Sequence, residues 1–358
     1  MDDIVFTSDL LKIDDRLAER LPNPQSINIE WLHALFAPIL ASLTGSNCRI
    51  YAAEDYPNPL SRLAVYRRLQ RDFSSAGWAS LYDRLDDPDV ECALASRFAG
   101  ALIVSFEMPP YLEAILRRHE IGFIDLTIHP IRYLADYMFG IRSNIEAVSQ
   151  RLHATQIDPE HFQDAARISA ARSVRVWRRK PIEPGSAVFL GQIEIDASLI
   201  HQGRLHDVEA VEGALLDLST RHRKVYYKAH PHRKDLDRIK QLVASLPRVE
   251  WLDANIYDLL ALPEIDVVAS LSSGTLVEAG FFGRNTRRYL ARSPLVDVSG
   301  AAHEEVFRRG QYVAAPPAVF GKAYWAYLLG ASDEAPPVHS FDLMRDALRT
   351  TLNMQWGR

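Results

Sequence analysis

Basic residues are concentrated in one short segment of the sequence. Between Arg221 and Lys234 there are six lysines or arginines and no acidic residue. Lys228 and His230 follow a predicted strand, at the edge where α/β sheets bind ligands, and Pro231 restrains the turn. The segment therefore predicts a phosphate-binding site. A solvated, basic start of a helix would explain the charges about as well.

A loop of small hydroxyl-bearing residues follows a later predicted strand. Ser272, Ser273 and Thr275 open a helix, where small residues let backbone N–H groups approach an anion and the hydroxyls add donors. Glu278, one turn later, can accept hydrogen bonds from a ribose diol. Helix capping by Ser and Thr is the commoner explanation for this loop alone. The segment Lys228–Pro231, here called the His-Pro loop, lies on the same sheet edge. Together the two loops predict a nucleotide site.

Two further segments place carboxylates at the ends of predicted strands. In Gly191–Ser198, alternation puts Gln192, Glu194 and Asp196 on one side, and a carboxylate there can act as nucleophile or base. Glu107 ends an apolar strand before two prolines, where it can serve as a general base. A solvated surface segment and a helix N-terminal charge are the respective structural alternatives.

Other polar residues give weaker signals. His129 and Arg132 follow the next strand and can contact an acidic or hydroxylated ligand, although a structural histidine beside a paired arginine is more common. Asp87-Pro88-Asp89 matches the metal-binding DxD pattern but has no preceding strand, so we interpret it as a loop. We expect no metal site, because the remaining histidines lack ligand spacing. Trp177–Lys180 can touch an anionic membrane surface, or is an exposed linker.

The elements that must position these residues alternate between short apolar strands and amphipathic helices, as in α/β folds with mostly parallel sheets. The basic, proline-bounded segment Ser173–Pro184 separates two such halves. We predict an N-terminal α/β domain over 1–180, a Rossmann-like domain over 181–335, and a terminal helix over 336–358 that crosses back to the first domain. This layout is the GT-B plan: two Rossmann-like domains facing a cleft.

Composition excludes several classes of protein. The 358 residues are 47% hydrophobic and carry a formal net charge of −5, which argues against disorder and against bulk nucleic-acid binding. Two cysteines form no disulfide framework and suit a reducing compartment. With no recognisable signal peptide and no long apolar run, we expect a cytoplasmic protein, with peripheral contact to the inner face of the cytoplasmic membrane as an option.

The combination of GQIEIDAS, YYKAHP and SLSSGTLVEAG, in this order, resembles the retaining β-Kdo transferases of bacterial capsule and O-antigen assembly. The segment FEMPPYL…IDLTIHPIRYLADYMFGIRSN is similar to the version that terminates O-antigen chains. The resemblance runs from about Phe106 to Gly283. Ala229 departs from the common Lys-Pro-His-Pro pattern but leaves Lys228 and His230 in place.

The resemblance implies a GT-B fold, a CMP-β-Kdo donor, a glycan or lipid-linked glycan acceptor, and no cofactor or metal. It also implies that the domain over 1–180 binds the acceptor and that the domain over 181–335 binds the CMP-sugar. Asp196 would then be the nucleophile, and Lys228 and His230 would stabilise the departing phosphate. The implied donor contacts further include Gln192 on the sugar, Ser272, Ser273 and Thr275 on phosphate or carboxylate, and Glu278 on the ribose. Glu107 would be the acceptor base, with His129 and Arg132 beside the acceptor.

Two other functions remain open on the sequence. An inverting transferase of another CMP-nonulosonate, such as a sialic acid, would share the His-Pro site without needing Asp196 as nucleophile. A non-catalytic sugar-nucleotide sensor, or a scaffold for other glycan-assembly modules, would bind CMP without turnover.

Overall fold

The computed structural model describes residues 3–17, 23–52, 61–176 and 181–337. Its strands are β1 (Asp3–Thr7), β2 (Asn47–Ile50), β3 (Ala101–Phe106), β4 (Phe123–Ile128), β5 (Phe139–Ser143), β6 (Ser186–Leu190), β7 (Ile200–His201), β8 (Arg204–Leu205), β9 (Val225–Lys228), β10 (Val249–Trp251), β11 (Ile265–Ser270), β12 (Asn285–Arg288) and β13 (Val313–Ala314). Its α-helices are α1 (Ser26–Thr44), α2 (Arg62–Arg68), α3 (Ser75–Tyr82), α4 (Pro88–Phe98), α5 (Pro110–Arg118), α6 (Glu146–Ala154), α7 (Pro159–Val176), α8 (Val208–Arg221), α9 (Leu236–Ser245), α10 (Ile256–Ala261), α11 (Thr275–Phe281), α12 (His303–Arg309) and α13 (Lys322–Leu328).

The first sheet has the strand order β13-β5-β4-β3-β1-β2. Strands β1 to β4 are parallel, and β5 and β13 add an antiparallel edge. Its central strands are buried on both faces because helices cover each side. The chain order reverses between β1 and β3, so the loops after these two strands part and leave a crevice at their carboxyl ends.

The second sheet is wholly parallel in the order β10-β9-β6-β11-β12. Strand β6, SAVFL, is completely buried, and alternate residues fill one core with α8 and α9 and another with α7, α10 and α11. The order reverses between β6 and β11, which is the position where doubly wound sheets bind ligands. The predicted α/β class with two Rossmann-like sheets is confirmed.

The division of the chain between the two sheets differs from the predicted ranges. Helix α7 precedes the predicted boundary, yet Ala166 is buried in the core of the second sheet. After β12 the chain returns to the first sheet, because β13 pairs with β5 and Trp325 is buried beside α1. The crossing therefore begins well before residue 335, and the predicted terminal helix over 336–358 lies almost entirely outside the described residues.

Two local predictions also need comment. Asp87-Pro88-Asp89 is not a loop: Asp87 caps α4 by accepting from the N–H groups of Asp89 and Val90, and Pro88 occupies the first helical position. Helix α1 is long and apolar enough to cross a membrane, the one such helix within the described ranges. Four of its apolar side chains, however, are buried in the core that packs on the first sheet: Ile29, Leu32, Phe36 and Leu40.

Candidate functional site

Glu107 lies at the switch point of the first sheet. It follows β3 with φ of 52°, an uncommon conformation for a residue with a side chain. The backbone is held there because Glu107 N–H donates to Leu126 O at 2.8 Å and Ser8 Oγ donates to Phe106 O at 2.6 Å. Thr127 Oγ1 donates to the carboxylate at 3.1 Å. The side chain is consequently fixed at the carboxyl edge of the sheet and open to the cleft.

Gln192 occupies the corresponding switch point of the second sheet. Its Oε1 accepts from Ser272 N–H at 2.9 Å and from Ser270 Oγ at 3.1 Å, and its Nε2 donates to Ser198 Oγ and Ser272 Oγ. The buried amide thus joins the loop after β6 to the loop after β11. The sugar contact that the resemblance implies for Gln192 remains a prediction; in the structure its amide positions the two loops that carry the other candidate residues.

Asp196 is presented on the segment that leaves the second sheet and enters the core of the first. Ile195 is buried in the first-sheet cluster formed by α2 to α5, so the segment bridges the two halves. Asp196 Oδ1 accepts from Ser198 N–H at 2.8 Å and begins a short 3₁₀ turn. Its other oxygen has no protein donor among the described residues.

Glu107 and Asp196 share one electrostatic environment, although they come from different sheets. Desolvation by the surrounding protein raises the pKa of Glu107 above its ordinary value, and the negative charge of Asp196 raises it further. Lys12 and Arg132 act in the opposite direction. Two carboxyl groups close enough to affect each other, one with a raised pKa, can divide the roles of nucleophile and base.

Lys228 and His230 form the basic side of the cleft. Burial lowers the pKa of Lys228, and burial together with the neighbouring His232, Arg132 and Lys228 lowers the pKa of His230 to about 4. His230 Nδ1 accepts from His232 N–H at 3.1 Å, so neutral His230 carries its proton on Nε2. His230 can therefore donate a hydrogen bond to an anion at neutral pH.

A network beneath the His-Pro loop holds that loop in place. Glu194 Oε1 accepts from the N–H groups of Lys234 and Asp235, and its Oε2 pairs with Arg16 of the first half at 2.8 Å. Burial opposes it, but the backbone N–H donors of Asp235 and Lys234 and the charge of Arg233 lower the pKa of Glu194. Glu194 thus links the His-Pro loop to the first half. The strand alternation had grouped it with Asp196.

The serine loop after β11 faces the first half of the molecule. Ser272 is buried by its contacts with Gln192, while Ser273 and Thr275 are half-exposed. A Cβ at Gly274 would lie 3.1 Å from Pro130 Cβ, so this loop approaches the loop after β4 closely. Ser273 and Thr275 flank Gly274 and consequently lie close to the loop after β4.

Glu278 is buried against the first half rather than exposed to a ribose. Its Oε1 accepts from Arg132 N–H at 2.7 Å and from Tyr257 Oη at 3.1 Å, and it also bonds the Thr275 side chain. Burial raises the pKa of Glu278 to about 7, against the effect of these donors. The ribose contact remains a prediction, and it would require the Arg132 bond to be exchanged for the sugar.

The two residues expected beside an acceptor differ in outcome. His129 is completely buried, with Nδ1 accepting from Ile131 N–H, and burial lowers its pKa to about 3. It is a neutral structural histidine and cannot reach an acceptor. Arg132 does lie in the cleft, where its charge acts on Glu107, His230 and Glu278.

Sequence reasoning missed two cations of this site. Lys12 lies 5.2 Å from the Trp78 ring centroid and close enough to Glu107 to lower its pKa. Arg288 ends β12 behind the serine loop. For Lys12, the one sequence signal of a site was its position after the short apolar run of β1. For Arg288, it was its position at the end of β12, a strand without an apolar pattern. No cluster of metal-ligating side chains occurs within the described ranges.

Neither a family model nor a curated protein sequence matches the chain. Solved structures with a similar arrangement include KpsC of Thermosulfurimonas dismutans, described as a beta Kdo 2,7 transferase, at 12% identity and a TM-score of 0.40 over 90% of this chain and 98% of that one. Another is KpsC of the same organism, described as a beta Kdo 2,4 transferase, at 13% identity and a TM-score of 0.36 over 76% of this chain and 85% of that one. Neither the donor nor the reaction of this chain follows from likenesses of that size.

Proposed function

We propose that the protein is a retaining glycosyltransferase that moves Kdo from CMP-β-Kdo to a bacterial surface glycan. The observation that carries the chemistry is the meeting of Glu107 and Asp196 in one cleft, beside the basic groups Lys228 and His230. The choice of donor rests on the motif resemblance around Asp196, His230 and Ser272. On this proposal the protein acts in the cytoplasm, next to the membrane where lipid-linked acceptors are assembled, and needs no metal.

The first step forms a bond from the free carboxylate oxygen of Asp196 to the anomeric carbon of Kdo. The bond from that carbon to the phosphate oxygen breaks, and CMP departs with the electron pair. The ammonium of Lys228 and the Nε2–H of His230 face the oxygens on which negative charge develops, and so lower the barrier. The configuration is inverted once, and a glycosyl ester on Asp196 results.

The second step transfers the sugar to the acceptor. Glu107 takes the proton of the acceptor hydroxyl while its oxygen attacks the anomeric carbon, and Asp196 leaves as a carboxylate. The raised pKa of Glu107 makes it a stronger base than an ordinary glutamate, and the second inversion restores the β configuration. Lys12 and Arg132 keep Glu107 ionised enough to accept a proton.

A transfer assay tests this proposal. The protein is incubated with CMP-β-Kdo and a panel of glycan acceptors, and the products are analysed by mass spectrometry and NMR. We expect one Kdo to be added in β configuration, and Asp196→Asn to lower the rate by about 10³-fold or more while retaining CMP binding. Asp266→Asn, at the amino end of β11, is the matched control and should transfer normally.

Three results would overturn parts of this account. An α-linked product would mean single inversion and remove the nucleophile role of Asp196. CMP binding without turnover of any acceptor would favour a scaffold. Transfer of a different nonulosonate in preference to Kdo would replace the donor but keep the phosphate site.

A further inference from the structure

Arg288 and Lys228 end two strands of the second sheet in the same register. Arg288 pairs with Ser270, Ser270 with Leu190, and Leu190 with Lys228. In-register neighbours in a parallel sheet have their side chains on the same face. With strands about 4.8 Å apart, the Cα atoms of the two residues lie roughly 14 Å from each other, one on each side of the switch point.

The contacts of Arg288 attach it to the serine loop but leave its charge uncompensated. Nη1 donates to Ser272 O at 2.8 Å and to Arg292 O at 3.3 Å. No carboxylate pairs with this half-buried guanidinium among the described residues, and burial lowers its pKa. The adjacent Arg287 differs: it pairs with Asp217 at 3.1 Å and stacks on Tyr289.

An unpaired guanidinium in a partly desolvated position is costly unless an anion joins it. Two carbonyl oxygens already occupy Nη1, whereas the edge formed by Nε and Nη2 has no protein acceptor within the described ranges. That edge is the one that forms parallel, bidentate bonds with a carboxylate or a phosphate. Arg288 is therefore prepared for an anionic ligand beside the serine loop.

We propose that Arg288 binds an anionic group of the sugar-nucleotide donor, across the switch point from Lys228. This inference rests on the proposed function. The donor offers two such groups, the phosphate and the sugar carboxylate, and both have the geometry that a guanidinium edge recognises.

Isothermal titration calorimetry of the purified full chain with cytidine, CMP and CMP-β-Kdo tests the proposal. For Arg288→Gln we expect the affinity for cytidine to be unchanged, because the nucleoside carries no anion. If Arg288 binds the phosphate, affinity for CMP and for CMP-β-Kdo falls about 10- to 100-fold. If it binds the carboxylate, CMP binds normally and only CMP-β-Kdo is weakened. Arg288→Lys should recover part of the loss, and Arg287→Gln is the matched control.

Other results would overturn it. If Arg288→Gln binds all three ligands as tightly as the wild type, the guanidinium contacts no anion of the donor. A fall of the same factor for cytidine as for CMP would show that Arg288 only positions the serine loop. Both results presuppose a wild-type protein that binds CMP-β-Kdo, so they leave the proposed function standing. A wild-type protein that binds none of the three ligands overturns the proposed function and this inference with it.

Discussion

Glu278 and Arg132 join the two halves of the molecule through one buried hydrogen bond, in which Arg132 N–H donates to Glu278 Oε1 at 2.7 Å. Glu278 belongs to α11 on the second sheet, whereas Arg132 follows β4 of the first. The side chain of Glu278 is 1% exposed. This contact between the two halves is therefore made by a carboxyl group whose pKa burial raises to about 7.

Because Glu278 is buried, its titration makes the free energy of unfolding depend on pH. The pKa of Glu278 is higher in the folded protein than its unfolded value near 4.5, so the folded protein binds this proton more tightly. The free energy of unfolding therefore falls as pH rises from about 4.5 to about 7. At 1.36 kcal/mol per pKa unit, the loss is about 3 kcal/mol.

Glu278→Gln keeps the acceptor oxygen but cannot ionise, so it should lack this decline and melt at a higher temperature than the wild type above pH 7. Thermal denaturation from pH 4.5 to 8 measures the difference. Glu160→Gln, an exposed carboxyl on α7, is the control and should follow the wild type. Parallel curves for Glu278→Gln and wild type would show that the carboxyl group titrates normally.

We expect Lys12 to lower the pKa of Glu107, the proposed base. Its charge lowers the pKa of Glu107, so Lys12→Met should raise that pKa and move the acid limb of the transfer rate to higher pH. The pH–rate profile measures this directly. Lys240 lies over Trp251 much as Lys12 lies over Trp78, but far from the cleft, so Lys240→Met is a matched control. An acid limb at the same pH in Lys12→Met as in the wild type would show that the charge of Lys12 does not act on Glu107.

His230 should contact the phosphate as a neutral donor that gains charge on binding. His230→Ala is expected to weaken CMP binding by about 10²-fold and to leave cytidine binding unchanged. Because the phosphate favours the protonated ring, the pKa of His230 should rise above about 4 when CMP binds. NMR titration of the imidazole measures the shift, and His222→Ala, at the amino end of the same sheet, is the control. Equal CMP affinity in His230→Ala would contradict the assignment.

The sheets and their order of loops were predictable because buried strands and amphipathic helices differ in hydrophobic period. The apolar runs Ala99–Ser105, Ala187–Leu190 and Ile265–Ala269 predict strands, and β3, β6 and β11 lie within one or two residues of these bounds. The ends of the domains were not, because local patterns do not say which sheet a segment joins: Ala166 and Trp325 are ordinary apolar residues until packing assigns them.

Within the candidate site, the position of a residue after a strand predicted where it lies better than how deeply it is buried. Asp196, Glu107, Lys228 and His230 lie at the cleft, as their positions after strands suggested. His129 has the same kind of position but is buried, which depends on Phe162 and other residues distant in sequence. Gln192 and Glu278 use their polar atoms on the protein itself, a choice that only the arrangement of the two halves decides.

The central claim, a covalent intermediate on Asp196, is tested most directly by intact-protein mass spectrometry. Wild-type protein and the slowed variant Glu107→Gln are mixed with CMP-β-Kdo without acceptor, and Asp196→Asn is the control. The account predicts a gain of one Kdo residue in Glu107→Gln, mapped to Asp196 by peptide analysis and absent in Asp196→Asn. No gain in either the wild type or Glu107→Gln while the donor is bound, or an adduct on another residue, would contradict it.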